Sequence, residues 1–509
     1  MKVKNMQMGL QVFAEEKPHE VAIVCYEQAL TFQDLYHRVN TIANSLLELG
    51  VTKGDHIAVY MRNRLEMPEI YYAISVVGAV CLPINYMLEG DSLSGLLNGS
   101  DARYVFVEGE LLPKIEVVKD QLSYVSNKTI IVLDAKPETP FSNYESMLQH
   151  GSTEDPTVLV NPDDTFNIMF TSGTTSLPKG IVIDGGTTFK RVHCFTEEWQ
   201  MNSSSVTLIT VPLYHSVGLT FSWLLPLLGS RLIIMREFNP KLTLQWIEDH
   251  QITHAFFVPT QYHYLLQVPE LEKFQFSSLQ LLIAAAAPLS AEMKKQIVGK
   301  FRCDLTEFFG SSETSAYITL RPEDVINKAT SIGRKLKEKE VEVRLIDADG
   351  NDVGLGEDGE FAIRSPYLFS EYYKSPEQTE ETFLPGGWYC TGDMGKMDCD
   401  GFYYLLDRKK DMLISGGVNV YPKDIEEVVQ RHPAVEEVAV IGIPNERWGE
   451  AVKAYIVLKK DQSCSAEDMM LFSNEKLANF QRVKEVEFID ALPRNPSGKI
   501  LKRQLRERK

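Results

Sequence analysis

From about residue 20 to residue 320, short β-branched or apolar runs alternate with amphipathic stretches. VTLITVPL (206–213), RLIIM (231–235), THAFFVP (253–259) and LQLLIAAAA (279–287) read as buried strands. Set among them, KLTLQWIEDHQ (241–251) and LSAEMKKQIVGKF (289–301) repeat their apolar residues at spacings of three and four, as helices do. Strand-helix alternation of this kind predicts parallel sheets covered by helices, an α/β architecture. The earlier runs HIAVYM (56–61) and AVCLPIN (79–85) predict a second such layer.

After residue 340 the pattern changes. VEVRLIDADGNDV, EFAIRS, GWYCTGD and GFYYLLDR are short alternating strands separated by Asp-Gly or Gly-Gly turns, which predicts antiparallel hairpins. A βαββα-like unit follows, with helices predicted over DIEEVVQRH (424–432) and AEDMMLFSNEKLANF (466–480) and a last strand over KEVEFID (484–490). The charged run Asp407–Lys410 ends a strand and marks a domain boundary and hinge, giving domains of 1–409 and 410–509.

Composition narrows the picture. A chain of 509 residues holds about three folding units at ~150 residues each, and 44% hydrophobic with 24% charged residues excludes collagen-like and disordered readings. Fifty-two basic against seventy acidic residues leave a formal charge of −18, which disfavours nucleic acid as a partner. The tail from Arg494 to Lys509 is the local exception. Seven scattered cysteines, without a Cys-x-x-Cys pair or Cys/His cluster, read as reduced thiols rather than disulfides or a zinc site. No unbroken apolar stretch suits a secretory signal or a bilayer span, so a soluble cytoplasmic protein is expected.

The segment with the most chemistry is Thr171-Ser172-Gly173-Thr174-Thr175-Ser176-Leu177-Pro178-Lys179-Gly180, directly after the apolar run FNIMF. Glycines let a backbone approach a polyphosphate, hydroxyls and amides donate to its oxygens, and Lys179 supplies charge. The Gly-Lys-Ser/Thr ending of a Walker loop is missing. Taken alone, such a segment is more often a polar surface loop.

It has companions. FFGSSE (308–313), YCTGD (389–393), DRKKDMLISGG (407–417) and PRNPSGKI (493–500) follow it in an order and spacing that resemble the adenylate-forming enzymes. These include acyl- and aryl-CoA ligases, peptide-synthetase adenylation domains and beetle luciferases. The resemblance runs from TFQDLYHRVN (31–40) to the C-terminal lysine. It implies a large N-terminal domain of two α/β subdomains and a small β-barrel, followed by a smaller mobile α+β C-terminal domain. It also implies two-step chemistry: a carboxylate attacks the α-phosphorus of ATP, and a thiol then displaces AMP from the acyl-adenylate.

The resemblance assigns roles motif by motif. Lys499, His215 and Glu313 are the implied catalytic residues, Lys499 bridging carboxylate and ATP, and Glu313 with Thr174 holding Mg²⁺. Nucleotide and coenzyme A contacts fall on Thr171, Ser172, Gly173, Thr174, Thr175, Lys179, Ala287, Pro288, Phe309, Gly310, Ser312, Asp393, Arg408, Gly416 and Gly417. Within this set Asp393 accepts the ribose hydroxyls, and the two glycines leave a path for pantetheine. Phe309 stands where the family has Tyr, and Ser312 where it has Thr. Lys410 matches the hinge residue. The other basic residues of the tail read as solvated charge.

Tyr214, His215, Ala285 and Ala286 map to the acyl pocket. Adenylation domains for amino acids place an aspartate where His215 stands; an imidazole cannot pair with an ammonium, so amino acids are disfavoured. Ala285 and Ala286 replace glycines and should narrow the pocket. Asp184-Gly185 replaces a common Thr-His, a departure that the sequence does not explain. The implied partners are a small carboxylic acid, ATP, Mg²⁺ and coenzyme A, for a monomer or homodimer. A fatty acid is the first reading of the substrate and an aryl acid the second. A carrier-protein-loading enzyme and a catalytically silent nucleotide-binding protein are the more distant alternatives.

Overall fold

The computed structural model describes residues 6–136, 138–171, 179–337, 340–415, 418–445, 448–494 and 500–508. The chain divides into two compact units, the first formed by residues 1–171, 178–342 and 364–381 and the second by 172–177, 343–363 and 382–509.

The first unit holds two large sheets of nine and eight strands. The expected strands at Val206–Ile209, Arg231–Ile234, His254–Phe257 and Leu281–Ala284 lie parallel in the larger sheet. His56–Tyr60 and Val80–Ile84 pair in parallel in the other. Strand alternation shows why both faces must be covered. Ile57 and Val59 enter one core cluster, whereas Ala58 and Tyr60 enter another. The first of these clusters also contains Ile209 and Ile283 of the larger sheet, so helices packed between the sheets serve both. Helix Glu66–Val76 is buried along its whole length, as a helix sandwiched between two layers must be.

The second unit contains the five-stranded sheet of the hairpin region and a further five-stranded sheet. Trp388–Met397 pairs antiparallel with Tyr403–Arg408, as the alternating pattern predicts. In the other sheet Val483–Phe488 joins Gly449–Leu458 in parallel, and helix Pro422–Gln430 packs on Val435–Asn445. The helix predicted over 466–480 is shorter, Ala466–Asn474. Asn474 ends it by turning its amide to the following strand: Nδ2 donates to Val483 O at 3.0 Å, and Oδ1 accepts Val483 N–H at 2.8 Å.

Of the basic residues described in the tail, Arg494, Arg503, Arg506 and Arg508 are exposed, as expected, and Lys502 is half-buried. Lys502 lies 2.8 Å from Glu426, Arg506 lies 3.0 Å from Asp411, and Leu505 is fully buried. Glu426 and Asp411 each pair with one cation, and buried Leu505 anchors the short helix Lys502–Arg506.

Candidate active site

Strand Thr165–Thr171 leads into the glycine- and hydroxyl-rich segment, and Lys179–Asp184 returns antiparallel beside it. Ser172 to Pro178, with Gly173, Thr174 and Thr175 among them, lie outside the described residues, as do Gly416, Gly417 and Lys499. The two ends of the segment, Thr171 and Lys179, are register partners.

Lys179 meets an aromatic residue that the motifs did not single out. Its Nζ sits 4.6 Å from the ring centre of Tyr372, and the Tyr372 hydroxyl donates to Glu313 Oε1 at 3.2 Å. One buried tyrosine therefore links the lysine of the loop to the carboxylate of GSSE. Tyr372 is held there by the strand Glu371–Tyr372, which pairs with Val182 and Ile181.

Glu313 lies on the tight turn between Asp304–Ser311 and Ser315–Leu320. The turn requires glycine at 310, because a methyl there would approach Ser315 O to 1.9 Å. Ser311 N–H donates to Thr314 Oγ1 at 2.9 Å and braces it. From behind, Arg191 of helix Gly185–Glu198 donates to Ser312 O at 3.2 Å, to Glu313 O at 3.0 Å and, through Nε at 2.8 Å, to Tyr367 O. Arg191 is buried. Burial pushes its guanidinium down to about 10 against the pull of Glu313 and Asp184, which leaves it charged at neutral pH. It lies on the core face of its helix with Thr188, Val192 and Phe195, and that face was the signal available: a charge at a position whose period marks the interior.

Asp184 of the Asp184-Gly185 pair has a structural role, and nothing in the structure explains Gly185. Asp184 caps the same helix: Oδ1 accepts Thr187 N–H at 2.6 Å, and Oδ2 accepts the Thr187 and Ser370 hydroxyls at 3.0 and 3.1 Å.

His215 precedes helix Ser216–Ser222, its ring 4.4 Å from that of Tyr214. Burial alone pushes the imidazole down to about 4, so it is neutral at physiological pH. The Tyr214 hydroxyl is buried and has no hydrogen-bond partner among the described residues. The helix packs so closely that a methyl at Gly218 would approach Pro212 O to 2.3 Å. Ala285 is buried in the same core cluster as Tyr214, whereas Ala286, Ala287 and Pro288 are exposed. Ala286 adopts φ +73°, a left-handed conformation that suits the glycine usual at this place. Phe309 meets Tyr317 edge-on at 5.5 Å, and Ser312 stays on the Glu313 turn.

In the second unit Asp393 and Arg408 are cross-strand partners, with Arg408 Nε 2.8 Å from Asp393 Oδ1. Arg408 Nη1 also donates to Thr391 O at 3.4 Å, and Gly392 takes φ +73° at the bend. Lys409 pairs with Glu360 at 2.7 Å, and Lys410 is exposed. No group of three metal-binding side chains occurs among the described residues. Glu313 is a partly exposed oxygen donor, and a single carboxylate fits Mg²⁺, which takes its other ligands from phosphates and water.

The sequence matches the AMP-binding enzyme family over residues 10–373 and the AMP-binding enzyme C-terminal domain over 424–499. The chain belongs to the AMP-binding enzymes. This AMP-binding enzyme is an acid–thiol ligase, similar along its length to others of that kind. A long-chain-fatty-acid–CoA ligase of Mycobacterium tuberculosis is 33% identical over 515 residues, covering 99% of this chain and 98% of the relative. A fatty acid–[acyl-carrier-protein] ligase of Streptomyces coeruleorubidus is 31% identical, covering 97% and 94%. A feruloyl-CoA synthase of Amycolatopsis is 31% identical, covering 97% of each. Among solved structures, o-succinylbenzoate CoA synthetase of Bacillus subtilis with its acyl-adenylate intermediate superposes with a TM-score of 0.87, at 26% identity and 99% coverage of both chains. The Mycobacterium tuberculosis fatty acyl CoA synthetase gives 0.77, at 30% identity and 99% and 98% coverage. Among the described residues, no helix is long and apolar enough to cross a membrane.

Proposed function

We propose that this enzyme joins a fatty acid to coenzyme A at the expense of ATP. The observation that carries the reading is the Lys179–Tyr372–Glu313 contact, which joins the end of the hydroxyl-rich loop to the carboxylate suited to Mg²⁺. A carboxylate does not react with a thiol, because oxide is its leaving group. Conversion to a mixed anhydride with AMP makes that leaving group good. The anhydride-forming step brings two anions together, so positive charge at the reacting phosphate lowers its barrier. Lys179 and Lys499 supply that charge from the protein, and Glu313 with Thr174 would hold Mg²⁺, which neutralises phosphate oxygens when bound.

Asp393, held by Arg408, accepts the ribose hydroxyls. Phe309 and Gly310, with Ala287 and Pro288, flank the adenine. The acyl chain lies beside His215, Tyr214 and Ala285. A neutral imidazole and a buried aromatic wall suit an apolar acid and give an ammonium no partner. Residues 410–509 form the mobile domain, turning about Lys410, and Gly416-Gly417 admit pantetheine. The carrier-protein ligase among the relatives makes a carrier-bound thiol the alternative acceptor.

The test is AMP release from ATP across straight-chain, aryl and free amino acids, each with coenzyme A, with holo-carrier protein and with no thiol. Fatty acids should release AMP with coenzyme A and form thioester. Release with amino acids and not with apolar acids contradicts the substrate. Release with holo-carrier protein and not with coenzyme A contradicts the acceptor.

A further inference from the structure

Glu307 directly precedes Phe308-Phe309-Gly310. In the parallel register it stands beside Ala284, where the neighbouring strand ends and the Ala285–Leu289 loop begins. Its side chain reaches to the far end of the same loop, where Oε1 accepts Leu289 N–H at 2.9 Å. Oε2 lies 2.6 Å from Lys294 Nζ, off the hydrogen-bond direction, and that ammonium donates to Ala329 O at 2.7 Å. Glu307 and Lys294 are 5% and 2% exposed, so a full ion pair is enclosed in the protein.

Two buried charges are a costly way to fill space, because an apolar pair of similar volume usually serves stability as well or better. A carboxylate can do one thing that an apolar side chain cannot: it accepts the Leu289 amide. It thereby clasps a short loop at both ends, by strand register at Ala284 and by hydrogen bond at Leu289. Within the clasp lies Ala286 at φ +73°, a conformation that persists only where the surroundings impose it.

We infer that Glu307 is a positioning residue for ATP, with Lys294 as its charge partner. It locks Ala287-Pro288 to Phe309-Gly310, so that the two walls assigned to the adenine keep one spacing. The inference rests on the nucleotide assignment proposed above.

Two variants separate positioning from stability. Glu307→Gln keeps an acceptor for Leu289 N–H but leaves Lys294 buried without a carboxylate. Its melting temperature should fall, while its dissociation constant and KM for ATP stay within about threefold of wild type. Glu307→Leu combined with Lys294→Met removes both charges and leaves the amide unheld. This double variant should melt above Glu307→Gln yet bind ATP about tenfold more weakly, the equivalent of one lost hydrogen bond, with the KM for the acid moved by less than about threefold. Calorimetric titration with ATP and steady-state kinetics read both. Wild-type ATP affinity in the double variant, or affinity that tracks melting temperature through the series, contradicts the positioning role. A wild type that binds no ATP contradicts the proposed function and the inference with it.

Discussion

At the scale of single residues, His215 shows how burial fixes chemistry. The ring loses hydration without gaining a partner charge, so its protonated form is disfavoured and its pKa drops from 6.5 to about 4. The unfolded chain therefore binds a proton between those values that the folded chain does not. Stability from this residue is complete above about pH 6.5 and is lost progressively as pH falls towards 4. Replacing His215 by Phe removes the titration. Between pH 7 and pH 5, urea unfolding should show the stability of the variant gaining on wild type by about 2 kcal/mol. A constant difference would mean that the ring is solvated. The sequence exposed this residue because it stands in a motif. Arg191 and Tyr372 carry no motif, and what they do depends on carbonyls and a carboxylate distant in sequence, so pattern alone gave them no role.

At the scale of elements, helix Gly185–Glu198 connects the loop-bearing strands to the Glu313 turn. Asp184 sets where it starts, and Arg191, two turns in, reaches the carbonyls behind Glu313. An error in the start would therefore be transmitted to the turn. Asp184→Ala, which loses the cap, should cost about 1 kcal/mol in thermal or urea unfolding, while Asp184→Ser should stay within about 0.5 kcal/mol of wild type. Equal losses in both would show that the Ser370 contact matters more than the cap. Strand positions at this scale were legible because burial on both faces leaves continuous apolar runs such as RLII and LLIA. Helix ends were less legible. The stop at Asn474 depends on a hydrogen bond to Val483, which local periodicity cannot express.

At the scale of the molecule, the order of motifs along the chain revealed the family, and the fold of each unit agrees with it. The ion pairs of Lys502 and Arg506 were not legible, because their partners, Glu426 and Asp411, lie far upstream. One chain should perform two separable half-reactions, adenylation and thioester formation. Lys499 should act while carboxylate and ATP are joined, and Gly417 when the thiol enters. A loss confined to the transition state persists at saturating substrate. The direct measurement takes purified Lys499→Ala and Gly417→Leu and follows acid-dependent pyrophosphate exchange, then thioester formation from supplied acyl-adenylate and coenzyme A. A crossed pattern is expected: Lys499→Ala loses exchange but still makes thioester, and Gly417→Leu exchanges pyrophosphate but makes little thioester. Two folded variants that lose both half-reactions to the same degree would contradict it.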